Sequence, residues 1–330
     1  MSSPPKVFHI MDDQIRLIAH LYHVKGINQY RLAKHLNITQ SSVSRLLSVA
    51  RERGIVRTIV ADYDSRNREM EARLRTRFGL DPSIVVKTSE RFSPEISRDI
   101  LGMFAASEIE SFARSNNIIA IGTGRTVREL VRHFPASRNK HIRIVQAIGR
   151  AGATVCDYDA QEIGRVLSQK LGGSFITMNT PAYMGTKEIR DTLRASEQIR
   201  LVTACLNQAS LAIVEIGAPC HSVFIERGLF KPEDIAGLKS AGVVGEIGGR
   251  FYDDDGRECD TQWRDRVMSI ELDRLARIPK AIGVVAGFNC PAAIRAAING
   301  GFIKGIVIDE SGARALLETN LRTGPVQSVR

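Results

Sequence analysis

Residues 119–130 read IAIGTGRTVREL, a run of branched apolar residues that ends in Gly122-Thr123-Gly124-Arg125-Thr126 and passes straight into a helical pattern. Strand, glycine turn and helix form the unit from which parallel α/β sheets are built, and such sheets bind ligands at the carboxyl ends of their strands. Two glycines let backbone N–H groups approach an anion, and a helix start favours negative charge. Thr123, Arg125 and Thr126 add hydroxyl and guanidinium donors. The string lacks the G-x-x-x-x-G-K of a phosphate-binding P-loop. Val127 also stands where a dinucleotide-binding G-x-G-x-x-G needs its third glycine. The segment therefore reads either as an anion-binding turn or as a plain tight turn, and no cofactor is expected.

Outward from this unit, apolar runs at 84–86, 142–148, 175–178, 211–216, 243–247, 280–286 and 306–308 alternate with helical stretches. This predicts a Rossmann-like parallel sheet over residues 84–330. The strand ends carry Gln146, Glu246, Arg250 and Asp309. Carboxylates and amides suit hydroxyl groups and arginine suits phosphate, so the collection fits a small sugar, polyol or monophosphate better than an apolar ligand.

The first 60 residues have a different texture. Residues 10–22 place Ile15, Ile18, Ala19 and Tyr22 on one helical face, and Gln29–Leu36 is a short helix with Leu32, Ala33 and Leu36 inward. After the turn Asn37-Ile38-Thr39, residues 40–52 (QSSVSRLLSVARE) turn Val43, Leu46, Leu47 and Ala50 inward. Helix, tight turn and a second helix with a Ser, Gln and Arg face is the helix-turn-helix arrangement. Residues 55–60 (IVRTIV) read as a wing. Gln29, Thr39, Gln40, Ser41, Ser42 and Ser44 are candidate DNA contacts, with Arg45 suited to a bidentate guanine or phosphate contact. The polar helix at 64–78, inside a connector spanning 61–83, carries a narrow seam of Met70, Leu74 and Phe78 that suits pairing between subunits or docking on the next domain.

Charge follows the same division. The chain of 330 residues has 46 Lys/Arg against 36 Asp/Glu, a net charge of +10. Residues 1–77 alone hold 14 basic and 7 acidic groups, so most of the excess sits beside the helix-turn-helix, where it attracts phosphates. Five dispersed cysteines without a C-x-x-C pair indicate neither a disulfide framework nor a zinc site. Mean hydropathy is -0.10 and no apolar run is long enough for a membrane helix or signal peptide, so a cytoplasmic protein without membrane partners is expected.

Combined with the helix-turn-helix, the strings G-x-G-x-T, V-G-E-I-x-G-R-F-x-D-x-x-G (244–256), G-V-x-A-G (283–287) and a terminal I-V-I-D-E (306–310) resemble the SorC/DeoR-type family of bacterial sugar-responsive transcriptional regulators. The resemblance runs over nearly the whole chain. It implies an effector domain like sugar-phosphate isomerase and deaminase folds, control of a carbohydrate or polyol operon through operator DNA, and homodimers or homotetramers. By matching motifs, Gly122, Thr123, Gly124, Arg125, Thr126, Gln146, Glu246, Arg250 and Asp309 carry over as pocket candidates, and Asn289 joins them. Where the family commonly has A-G-G-x-x-K-A-x-A-I, this chain has Phe288 for a glycine and Pro291 for the lysine, which removes a phosphate partner. The competing reading, an active isomerase or deaminase fused to a DNA-binding module, finds no catalytic arrangement: Asp253–Gly256 reads as a turn, and Cys220-His221 have no triad partner. An RNA-binding protein would need stacking aromatics, and aromatic content is 6%.

Overall fold

The computed structural model describes residues 12–57, 63–113, 117–137, 141–219, 222–286 and 290–319. It divides into two compact units, Met1–Tyr63 and Asp64–Arg330.

In the first unit, helices α1 (Asp12–His23), α2 (Gln29–Leu36) and α3 (Gln40–Glu52) bury Ile15, Ile18, Ala19, Leu32, Ala33, Val43, Leu46, Leu47 and Ala50. Each boundary has a local cause. Asn28 caps α2 by accepting from the Arg31 amide, and Asn37 closes it in the left-handed region at φ 52°. Thr39 then caps α3, its hydroxyl oxygen accepting from the Ser42 amide at 3.1 Å. The small Ala33, nearly buried, sits in the packed α2–α3 pair. Of the expected wing, residues 55–57 form no strand and 58–60 lie outside the described residues.

The second unit is built on a seven-stranded, wholly parallel sheet. Its strands are β1 (Ser83–Val86), β2 (Ile118–Ile121), β3 (Arg143–Gln146), β4 (Ser174–Ile176), β5 (Leu211–Glu215), β8 (Lys280–Val285) and β9 (Gly305–Asp309), in the order β1-β9-β8-β5-β2-β3-β4. A separate antiparallel pair comprises β6 (Gly245–Ile247) and β7 (Arg250–Tyr252). The helices are α4 (Arg68–Phe78), α5 (Pro94–Ser111), α6 (Arg125–Arg132), α7 (Ala160–Leu171), α8 (Lys187–Ala195), α9 (Glu197–Asn207), α10 (Val223–Glu226), α11 (Pro232–Ser240), α12 (Leu272–Arg277), α13 (Pro291–Asn299) and α14 (Glu310–Glu318). Both faces of the sheet are covered, so strand residues alternate between two cores. Ile118, Ala120, Ala212 and Val214 belong to one core, while Ile119, Ile121, Leu211 and Ile213 belong to the other.

One expectation changes here, and of the two readings of the connector seam the docking one holds. Residues 243–247 do not extend the main sheet; left-handed Gly248 and Gly249 (φ 57° and 75°) turn β6 back against β7 as a tight hairpin. The Met70, Leu74 and Phe78 seam faces its own unit: α4 packs on α14 and β1, Leu74 is fully buried, and Met70 and Phe78 flank the same core. The buried Glu71 fixes this docking by accepting from Arg66 Nε at 2.5 Å and from the Val85 amide at 3.1 Å.

Adjacent strands β2 and β5 send the chain in opposite directions, β2 toward β3 and β5 toward β8. The crevice at their carboxyl ends is the topological switch point, where ligands bind in open α/β sheets.

Candidate functional site

A solvent-open pocket with a cavity volume of about 50 Å³ lies at that crevice. The loop after β2 supplies Thr123, Gly124 and Arg125, and the end of β5 supplies Glu215, Ile216 and Gly217. Ser222, Glu246 and Cys290 complete the polar lining.

Glu246 is held over the pocket by its backbone. Its N–H donates to Gly217 O and its carbonyl accepts from Gly217 N, both at 2.9 Å, tying β6 to the loop after β5. Glu246 is 6% exposed; Oε1 accepts from the Gly249 amide at 3.3 Å, and the buried Oε2 makes no well-formed hydrogen bond among the described residues, although the Ser222 hydroxyl is near enough to stabilise the carboxylate. Burial raises its pKa from 4.5 to about 7, with the Glu215 charge adding to the rise and Ser222 and the Gly249 amide opposing it. A buried carboxylate oxygen without a well-formed hydrogen bond, facing a pocket, can accept one from a ligand hydroxyl group.

The Gly122–Thr126 turn is built as expected but filled differently. Thr123 donates its hydroxyl to Tyr158 O at 2.7 Å, and the Gly124 amide donates to the same oxygen at 2.9 Å. Arg125 pairs through both terminal nitrogens with Glu226, at 3.3 and 2.6 Å, and its guanidinium lies 4.9 Å from the Tyr158 ring centroid. Thr126 is fully buried; its amide and hydroxyl donate to Glu215 Oε1 at 3.2 and 2.5 Å. Burial raises the Glu215 pKa, opposed by the Thr126 bonds and by the charges of Arg98 and Arg125.

The structure thus brings together Thr123, Gly124, Arg125 and Glu246, with Gly122 and Thr126 immediately behind. It places three other candidates elsewhere. In the β6–β7 register Glu246 faces Phe251 and Ile247 faces Arg250, so Glu246 and Arg250 point to opposite faces of the hairpin. Arg250 instead donates to Ile270 O at 2.9 Å and Glu258 Oε1 at 2.6 Å. The buried Gln146 spends its amide on Ile148 O and on the Met178 amide. Asp309 caps α14 by accepting from the Gly312 amide at 3.1 Å. Asn289, with Gly287 and Phe288, lies outside the described residues, as do Cys220 and His221. Glu215 and Ser222 were missed in the sequence; the signal for Glu215 was a lone carboxylate ending the apolar strand LAIVE.

On the first unit, Gln40, Ser41, Ser44 and Arg45 are exposed along α3, while Gln29 and Ser42 are half-buried. Spacings 40/44 and 41/45 put them on one side of the helix. Thr39 is exposed, but its hydroxyl is engaged with Ser41 and Ser42 at 2.8 Å each, so it shapes the helix start. Tyr30, 67% exposed beside the exposed Arg31 and near Lys34 on α2, is a further exposed aromatic of this unit.

Residues 64–318 match the Sugar-bind model of sugar-binding domains, and residues 10–66 match a MarR family model. The chain belongs to the Sugar-bind family. Among its relatives, the sorbitol operon regulator of Klebsiella pneumoniae is 29% identical, covering 93% of this chain and 99% of the relative. The deoxyribonucleoside regulator of Bacillus subtilis (strain 168) is 27% identical, covering 91% and 95%. The crystal structure of the full-length K. pneumoniae regulator SorC superposes with a TM-score of 0.76 at 27% identity, covering 94% of this chain and 99% of that one. This Sugar-bind protein is a transcriptional regulator of SorC/DeoR type with a helix-turn-helix and an α/β sugar-binding domain, and not an enzyme. No helix of the described residues is long and apolar enough to cross a membrane.

Proposed function

We propose that the protein controls a carbohydrate or polyol catabolic operon from the cytoplasm, reading operator DNA through α3 and sensing a small sugar or polyol effector in the pocket between β2 and β5. Residues 1–60 serve as the DNA-binding domain, 61–83 as the connector and 84–330 as the effector domain. The observation that carries the effector reading is Glu246, a carboxylate that lines the pocket at the switch point and whose buried Oε2 makes no well-formed hydrogen bond among the described residues. The relatives named for sorbitol and deoxyribonucleoside regulation support a polyhydroxylated ligand. A homodimer or homotetramer follows from the reading mode, since one recognition helix covers one half-site and two-fold operators need paired modules. The test is fluorescence anisotropy of the full-length protein on DNA from upstream of its own gene, with sorbitol, erythritol and deoxyribose as first effectors. Binding that one of them shifts supports the reading; absence of DNA binding, or turnover of the sugar, overturns it.

A further inference from the structure

The N-terminus of α6 already holds an anion, and that anion belongs to the protein. Glu215 projects from the end of β5 so that Oε1 accepts from both the amide and the hydroxyl of Thr126. Its Oε2 lies against Gly124, where any Cβ would overlap the carboxylate. Gly124 is at φ 136°, ψ 155°, a conformation essentially reserved for glycine. The turn is therefore shaped around Glu215. Four further donor groups of the turn are used as well: the Gly122 amide by Ile213 O, the Gly124 amide and Thr123 hydroxyl by Tyr158 O, and the Arg125 guanidinium by Glu226. Pro291, the first residue of α13 and next to the pocket-lining Cys290, brings no charge and no N–H.

We propose that Glu215 occupies the phosphate position of the pocket as a built-in counter-anion, so that the effector is an unphosphorylated sugar or polyol whose hydroxyl groups donate to Glu246 and to the exposed side of Glu215. This rests on the pocket being the effector site, as proposed above. A phosphate at the start of α6 would have to displace the carboxylate from Thr126 or sit against it at like charge, with the guanidinium of Arg125 withheld by Glu226. A neutral polyol meets none of these obstacles and brings the donors that two carboxylates can use.

The test uses the full chain and inorganic phosphate, which needs no knowledge of the sugar. Thermal midpoints are measured against phosphate at ionic strength held constant with KCl, for wild type, Glu215→Gly and Glu215→Gln. Gln keeps an acceptor for Thr126 and the bulk that fills the cradle; Gly empties it and removes the negative charge that Arg98 and Arg125 stabilise. Glu215→Gly is expected to bind phosphate at least about tenfold tighter than wild type or Glu215→Gln, while contributions of the basic first unit cancel between variants. Equal phosphate response in wild type and Glu215→Gly overturns the proposal. Should Glu215→Gly fail to fold, wild type decides alone: sorbitol against sorbitol 6-phosphate and deoxyribose against its 5-phosphate, where a phosphate ester binding tighter than its parent overturns it and the reverse preference supports it. Phosphate gained by Glu215→Gly, with no polyol altering DNA binding, would leave the role of Glu215 standing and remove the effector assignment instead.

Discussion

Replacing Glu246 with glutamine should remove a specific part of the pH dependence of stability. In the unfolded chain this carboxyl has the ordinary pKa of 4.5, and in the folded pocket burial lifts it to about 7. An acid whose folded pKa is raised holds its proton more tightly when folded, so its contribution is fully present below pH 4.5. That contribution is lost as the pH climbs from 4.5 to 7 and stays flat above that. The span is about two and a half pH units, which at about 1.36 kcal/mol per tenfold change in proton affinity makes a loss of about 3 kcal/mol. Glu246→Gln keeps the shape and the Gly249 contact while abolishing the titration. Urea midpoints of both proteins from pH 4 to pH 8.5 give the difference, because titrating groups that do not interact with Glu246 cancel, and the neighbouring Glu215 carboxylate, which does interact with it, contributes as well. The expected curve has wild type losing about 3 kcal/mol relative to Glu246→Gln between pH 4.5 and 7, with no further divergence above pH 7.5. A difference that stays level over the whole range would show that Oε2 is solvated or bonded, and the argument for an effector acceptor at Glu246 would go with it.

Other substitutions probe the remaining parts. Arg45→Ala, at an exposed position of α3, should leave thermal stability unchanged and weaken operator binding by about 1–3 kcal/mol in anisotropy titrations; full-strength binding would remove α3 as the reading helix. Thr39→Ala deletes the cap of α3 and should cost about 1 kcal/mol by chemical denaturation. Leu74→Ala, at a fully buried site, should destabilise the second unit by about 2–5 kcal/mol; a loss of oligomer without loss of stability would instead return the seam to a subunit interface. Gly124→Ala meets both a glycine-only backbone conformation and the Glu215 carboxylate, so a cost of about 3 kcal/mol or more is expected, and neutrality there would mean the turn is not formed as described.

How far the sequence could be read depended on whether a signal was local. The main strands were legible because both faces of a parallel sheet are buried, so runs such as Ile118–Ile121 are apolar at every position and need no partner to be recognised. The helix-turn-helix was legible for the same reason, its inward residues and its Asn37 and Thr39 punctuation lying within a few residues of each other. Registers between segments were not legible. Glu246 and Arg250 stand four residues apart and both follow an apolar run, yet the Gly248-Gly249 turn separates them onto opposite faces, which only the pairing of β6 with β7 decides. The Met70, Leu74 and Phe78 seam likewise showed an apolar stripe without naming its partner, and the partner is α14 and β1 of the same unit. The GTGRT string shows the limit most clearly. Its glycines fit either an anion-binding turn or a plain tight turn, and a glycine at position 124 records only that something approaches closely, not what approaches. The approaching group is Glu215, 91 positions along the chain from Gly124, and a carboxylate donated by a neighbouring strand satisfies the same helix N-terminus that a ligand's phosphate would. In this chain the residue that ends the adjacent strand supplies the anion that the glycine-rich turn admits.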